Sequence, residues 1–178
     1  MNLKLIAVRY AKALRKYENE NPGKPIQSDM AIILNTIQIS KDLKVFLKNP
    51  SINNQKKFEL LKILFQNKVC EESLFYLKLI VDKNREYALE KILKTYFEMI
   101  DEENGIINAT IITAYELDEQ IIEKIRKKIK IFTGKDPRFQ IVVNSKVVGG
   151  LLIQIDDKVI DLTLKRQLEK IKYTFTEN

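Results

Sequence analysis

The sequence predicts a mixed all-α plus α/β fold: an N-terminal six-helix bundle over residues 1–104, followed by a small α+β C-terminal domain over residues 105–178. Three observations carry this expectation. Apolar residues recur at helical spacing through the first hundred positions. No proline falls between Pro50 and Pro137 and no glycine between Gly23 and Gly105, so little interrupts that pattern. After Asn104–Gly105 the spacing changes to β-branched alternation, the mark of a strand.

Helix one carries Leu3, Ile6, Ala7, Tyr10, Ala11, Leu14 and Tyr17 on one face. It ends at Asn21–Pro22–Gly23–Lys24–Pro25, where two prolines and a glycine cannot continue it. Ser28 is the expected N-cap of a second helix with Met30, Ile33, Leu34 and Ile37 inward. Ser40 caps a short third helix with Leu43, Phe46 and Leu47, stopped by Asn49–Pro50. A fourth runs from about Asn53 to Asn67 and buries Phe58, Leu61 and either Leu64 or Phe65. The fifth covers about Glu71 to Asp82, with Leu74, Leu77 and Val81 on one side. The sixth begins near Asn84 and carries Leu89, Ile92, Tyr96, Met99 and Ile100 to Glu103.

In the second half Ile107, Ala109, Ile111 and Thr113 alternate as a strand. A helix from about Asp118 to Phe132 sets Leu117, Ile121, Ile125, Ile129 and Phe132 on one stripe, and Thr133–Pro137 is a break. Phe139, Ile141 and Val143 form the next strand. Gly149–Gly150, two of only five glycines, then open a hairpin that turns at Asp156–Asp157. Such a pair permits a backbone bend or close approach that side chains would forbid. Asp161 or Thr163 caps a final helix that buries Leu164, Leu168, Ile171 and Phe175.

Composition narrows the function. Histidine is absent, which removes the commonest general base, the commonest metal ligand and every Ser/His or Cys/His nucleophile pair. Cys70 is the only cysteine, so no internal disulfide can form. The Gly149–Gly150 pair is followed by neither a P-loop lysine nor a G-x-G-x-x-G spacing, so no cofactor is expected. Asp156–Asp157 reads as a turn, with no third carboxylate nearby in sequence to make a metal site. The chain does not read as an enzyme.

No apolar run reaches the roughly 18 residues of a membrane span, and Met1–Ile6 lacks the apolar region of a leader, so a cytoplasmic protein is expected. The net charge of +7 is dispersed, with 18 Lys/Arg against 14 Asp/Glu in residues 1–104 and 13 against 10 in residues 105–178. The densest cluster, Lys124 to Lys130, is a solvated helix face or a contact for an acidic partner. A basic nucleic-acid-associated helical regulator is the alternative reading, weakened by the lack of aromatic residues among the basic ones. A membrane-surface role for helix one would leave the bundle short of core.

Several segments, in order and over nearly the full length, resemble one family. Arg9–Tyr10–Ala11–Lys12–Ala13–Leu14 is similar to its opening Y-A-x-A-L helix. Leu47–Lys48–Asn49–Pro50–Ser51–Ile52 followed by Lys57 is similar to its L-x-N-P-x-I…K, and Asn84–Arg85 to its N-R. Thr113–Ala114–Tyr115–Glu116–Leu117 resembles S-A-x-x-L, and Gly149–Gly150 through Asp161 and Leu168 resembles G-G…I…D-x-V-I-D-x-S…L. Two steps depart: Asn144–Ser145–Lys146 stands where an acidic D-P is usual, and Leu162–Thr163 replaces G-S. The family is the delta subunit of F-type ATP synthase, the bacterial counterpart of the mitochondrial oligomycin-sensitivity-conferring protein.

The resemblance implies a non-catalytic stator subunit of the peripheral stalk. Such a subunit links the catalytic head to the membrane sector and supports rotary coupling of hydrogen ion transport to ATP synthesis. It implies one copy per complex, no nucleic acid, and a peripheral place on the cytoplasmic side of the bacterial inner (plasma) membrane. The helical domain would bind the N-terminal helices of the alpha subunits, and the C-terminal domain would meet the b subunits.

The family's groove lies between helices one and five, which makes Ala7, Tyr10, Ala11, Leu14, Leu74, Leu77, Lys78 and Val81 the expected partner-binding residues. Ala7 and Ala11, four apart, let a partner helix approach closely; they would equally let helix one pack inside its own bundle. Gly149, Gly150, Asp161 and Thr163 are the expected structural motif of the second domain.

Overall fold

A computed structural model describes residues 3–145, 147–155, 158–166 and 168–169. The chain forms two compact units, Met1–Ile100 and Asp101–Asn178, divided within the last turn of α6. The fold is mostly helical with one four-stranded sheet.

The first unit carries α1 (Leu3–Glu20), α2 (Ile26–Ile39), α3 (Lys41–Lys48), α4 (Asn54–Phe65), α5 (Glu71–Asp82) and a 3-10 turn (Glu86–Ala88), followed by α6 (Leu89–Glu103). Local capping chemistry sets several of these limits. The Ser40 hydroxyl accepts from the Leu43 amide at 3.2 Å and the Asn53 side chain accepts from the Lys56 amide at 2.8 Å, each meeting an otherwise orphaned helix donor. Ser28 is not the cap of α2. That helix starts at Ile26, directly after Pro25, and the Ser28 hydroxyl donates back to the Pro25 carbonyl at 2.8 Å.

Asn84–Arg85 ends α5 instead of starting α6. Asn84 is left-handed (φ 54°), its amide donates to the Val81 carbonyl at 2.9 Å, and the Arg85 amide donates to Ile80 at 2.9 Å. These paired bonds are the Schellman closure of a helix, and asparagine tolerates the left-handed position.

The interior of this unit is apolar and continuous. Ile6, Ala7, Ala11 and Leu14 of α1 meet a core that includes Met30, Ile33, Leu61, Phe65, Leu77, Ile80, Ile92 and Tyr96. Full burial of one large side chain such as Phe65 stabilises the unit by about 1.5–3 kcal/mol.

The second unit contains β1 (Ile106–Thr113), α7 (Glu119–Thr133), β2 (Asp136–Val143), β3 (Leu151–Ile155) and β4 (Lys158–Asp161). The sheet order is β2-β1-β3-β4. β1 pairs parallel with β2, which requires the crossover that α7 supplies, and the remaining pairings are antiparallel. Ala109, Ile129, Ile153 and Ile155 form the core, with Ile107, Ile125, Phe139 and Leu151 packed around it.

The apolar stripes of this unit are less covered than their periodicity suggests. Phe132 is 78% exposed and Ile121 also faces outward. Ile122, Ile129 and Thr133 are the covered side of α7, so its buried face is rotated away from Ile121 and Phe132. Ile141 and Val143 are exposed on the edge strand β2, beyond the part that packs against the core at Phe139. Residues 164–166 and 168–169 are helical, and Leu164 and Leu168 are exposed, not buried. Ile171, Phe175 and the Asp156–Asp157 turn lie outside the described residues.

Candidate functional site

A groove of about 740 Å³ opens between α1 and α5. Arg9, Tyr10, Ala13, Leu14 and Tyr17 line it from α1; Glu71, Glu72, Phe75, Tyr76 and Leu79 line it from α5, with Ile26 at its floor. Phe75 is 67% exposed, an unusual amount for a phenylalanine on an otherwise well-covered helix.

Three polar devices hold the two walls. The Tyr76 hydroxyl donates to the Tyr10 carbonyl at 3.1 Å, and burial pushes its phenol far above the ordinary value, so it stays a neutral donor. The buried Asp29 carboxylate accepts from the Cys70 amide at 2.8 Å and from the Ser73 hydroxyl at 2.7 Å, tying the start of α5 to α2. An anion at that point also meets the positive end of the α5 dipole. At the α1–α2 connection Lys24 donates to Glu72 at 2.5 Å. That bond, first among the causes, lowers the Glu72 carboxyl to about 2.

The far end of α1 is held by a separate relay. Tyr96 donates to Glu18 at 2.6 Å, and Glu18 also pairs with Arg15 at 2.6 Å. Burial, then the Glu18 contact, pushes the Tyr96 phenol upward.

The expected partner-binding residues fall in three places. Tyr10 and Leu14 line the groove. Ala7, Ala11, Leu77 and Val81 have no exposed surface and belong to the core of their own unit, so a partner cannot touch them in the folded protein. Leu74 packs against that core, and Lys78 reaches over the Phe58 ring at 6.0 Å, away from the groove. The alanines therefore serve the close packing of α1 inside its bundle.

The open stripe of α5 is not set by its own period. Leu74–Phe75–Tyr76–Leu77 and Leu79–Ile80–Val81 make the helix apolar nearly all round, so periodicity cannot say which stripe stays open. On α1, Ala13, the second alanine of the Y-A-x-A-L pattern, is exposed and also lines the groove. Cys70 caps α5 only through its backbone, and burial raises its thiol, so it is held as the unreactive form.

In the second unit the glycine pair has a definite geometry. Gly149 and Gly150 have φ of +65° and +75°. A Cβ on Gly149 would lie 2.5 Å from Leu164 Cδ1, and one on Gly150 would strike the Leu162 carbonyl oxygen and the Thr163 Cα. The pair runs against residues 162–164, where Leu162 donates to Leu151 at 2.9 Å and Leu164 to Gly149 at 3.3 Å. Asp161 accepts from the Thr163 amide at 2.9 Å, and the Thr163 hydroxyl accepts from the Arg166 amide at 3.3 Å, so threonine is the cap and Asp161 its lead-in turn.

Chemically, the α1–α5 groove is an apolar, aromatic-rimmed trough with ionic groups only at its margins. Among the described residues no three His, Cys, Asp or Glu side chains are placed to hold a metal ion. The described residues include no helix long and apolar enough to cross a membrane.

The profile of the ATP synthase delta (OSCP) subunit family matches residues 6–175. The chain is 31% identical over 172 residues to the ATP synthase subunit delta of Chloroherpeton thalassium, covering 96% of this chain and 94% of that protein. It is 32% identical over 173 residues to the subunit delta of Chlorobium chlorochromatii, with 97% of each covered. In fold it is similar to a chain of the Toxoplasma gondii mitochondrial ATP synthase hexamer, with a TM-score of 0.72 at 17% identity over 96% of this chain and 97% of that one.

Proposed function

The chain belongs to the ATP synthase delta (OSCP) subunit family, and from that premise we propose that its α1–α5 groove receives an amphipathic helix from the alpha subunits of the catalytic head. Members of this family are non-catalytic components of the peripheral stalk, and this chain is one of them. A stator resists the torque of a turning rotor, so its work is attachment.

The observation that carries the proposal is the open aromatic wall of Phe75 beside Tyr76, Leu79 and Tyr10, with the buried Leu14 beneath it. An apolar trough between two helices is the shape that buries one face of a third. Aromatic side chains at the centre of such a contact carry a disproportionate share of the binding energy. Residues 1–104 then act as a six-helix bundle that grips the head, in one copy per complex.

Residues 105–178 take the other end of the link, meeting the b-subunit stalk on the cytoplasmic side of the bacterial membrane. Ile131, 86% exposed, and Phe132 beside it supply exposed apolar surface on α7 for that contact.

The test is a titration of the full chain with a synthetic peptide of the cognate alpha-subunit N-terminus. Wild type is expected to bind, and Phe75→Glu to lose binding while keeping its helical circular dichroism. Equal affinity in the two proteins would remove the groove from consideration.

A further inference from the structure

We infer that the groove selects its occupant by polarity, taking an amphipathic helix with a cationic group at the Glu71 end and an anionic group at the Arg9 end. This rests on the docking reading above and adds the direction in which the helix lies.

The contacts of the walls establish the geometry. The Tyr76 hydroxyl meets the backbone of Tyr10, whereas Glu72, earlier on α5, meets Lys24, which follows α1. Moving along α1 from Tyr10 toward Lys24 thus means moving backward along α5, so the two helices run antiparallel. One end of the groove is closed by Tyr17, Glu71 and Glu72, and the other by Arg9 and Leu79. From Arg9 to Tyr17 is about 12 Å of helix rise, two turns of a docked helix.

Charge is distributed unevenly over those ends. Glu72 is already neutralised by Lys24. Glu71 and Arg9 are exposed, and among the described residues neither makes an ion pair. The trough therefore presents one uncompensated carboxylate and one uncompensated guanidinium, separated by apolar lining. A helix entering with the opposite charge order satisfies both; one entering reversed places like charges together at each end. Rim charges of this kind act chiefly on association rate and salt dependence.

Stopped-flow binding of the full chain to the cognate alpha-subunit N-terminal peptide, at low and high salt, tests this. Glu71→Lys and Arg9→Glu are each expected to slow association by about ten-fold at low salt, with little change in dissociation and no difference at high salt. The combined variant is expected to prefer a peptide whose end charges have been exchanged. Glu71→Gln and Arg9→Gln, which add no repulsion, give a smaller slowing in the same direction and cover the case in which a reversal disturbs α5.

Wild-type association in all four single variants, alongside loss of binding in Phe75→Glu, overturns the polarity while leaving the groove in place. Normal binding by Phe75→Glu overturns the docking reading itself.

Discussion

Lys57 donates to Glu86 across 2.6 Å in the interior of the helical unit, while the second carboxylate oxygen of Glu86 has no hydrogen-bond partner among the described residues. Both side chains are nearly fully buried, Lys57 on α4 and Glu86 in the 3-10 turn ahead of α6. A buried pair of this kind holds its elements in register, but each charge depends on the other to offset its lost hydration.

Removing one partner is therefore expected to cost more than removing both. Lys57→Met should destabilise the protein by about 3–5 kcal/mol, because it strands the Glu86 carboxylate in an apolar interior. The double variant Lys57→Met, Glu86→Leu should recover most of that loss. Urea unfolding followed by helical circular dichroism measures both, and equal losses in the single and double variants would show that the pair is not coupled.

Two alanines two positions apart on α1 should behave oppositely. Ala11 has no exposed surface, so Ala11→Glu buries an unpaired carboxylate and is expected to unfold the helical unit. Ala13 is exposed and lines the groove, so Ala13→Glu should leave the helicity intact and weaken binding of the alpha-subunit peptide by at least ten-fold. Circular dichroism and peptide titration on the two variants separate folding from docking.

The glycine pair should show a graded response. Valine at either site must adopt a positive φ, a strain of about 1–3 kcal/mol. Gly150→Val is expected to be the worse, because its Cβ meets the backbone of Leu162 and Thr163, whereas at Gly149 the obstacle is the exposed Leu164 side chain. Thermal melts should place the loss in residues 101–178, with the helical signal of the first unit retained.

The Lys24–Glu72 contact makes a prediction in pH. The Glu72 carboxyl is lowered from 4.5 to about 2 by its bond to Lys24, so its folded-state value lies below its unfolded one. Whatever stability the contact contributes is fully present above the unfolded value near 4.5 and lost as pH falls toward about 2. An NMR titration of the Glu72 side chain should give a midpoint near 2, rising toward the ordinary value in Lys24→Met. An ordinary midpoint in the wild type would mean that the bond is not held in solution.

Much of this protein was legible along the chain because its information is local. Helical spacing and caps place α3, α4 and α5 within a residue or two, since Ser40, Asn53 and the Asn49–Pro50 stop act on amides three or four positions away. The change to strand alternation after Gly105 is equally local, and the adjacent glycines 149 and 150 stand out in the sequence because glycine meets a left-handed backbone with least strain. The absence of histidine, read from the sequence alone, removes the commonest general base.

The tertiary structure decided which faces remain open. Ala11 and Ala13 are the same residue type, and only the packing of α1 against its bundle makes one core and the other groove. α5 is apolar nearly all round, so its open stripe through Phe75 and Leu79 follows from where α2 and α4 sit, not from its own period. Lys57 with Glu86, Asp29 with Ser73, and Tyr76 with the Tyr10 carbonyl join residues far apart in sequence. Periodicity reports the direction a side chain takes from its own helix axis; what lies in that direction is set by the other elements of the fold.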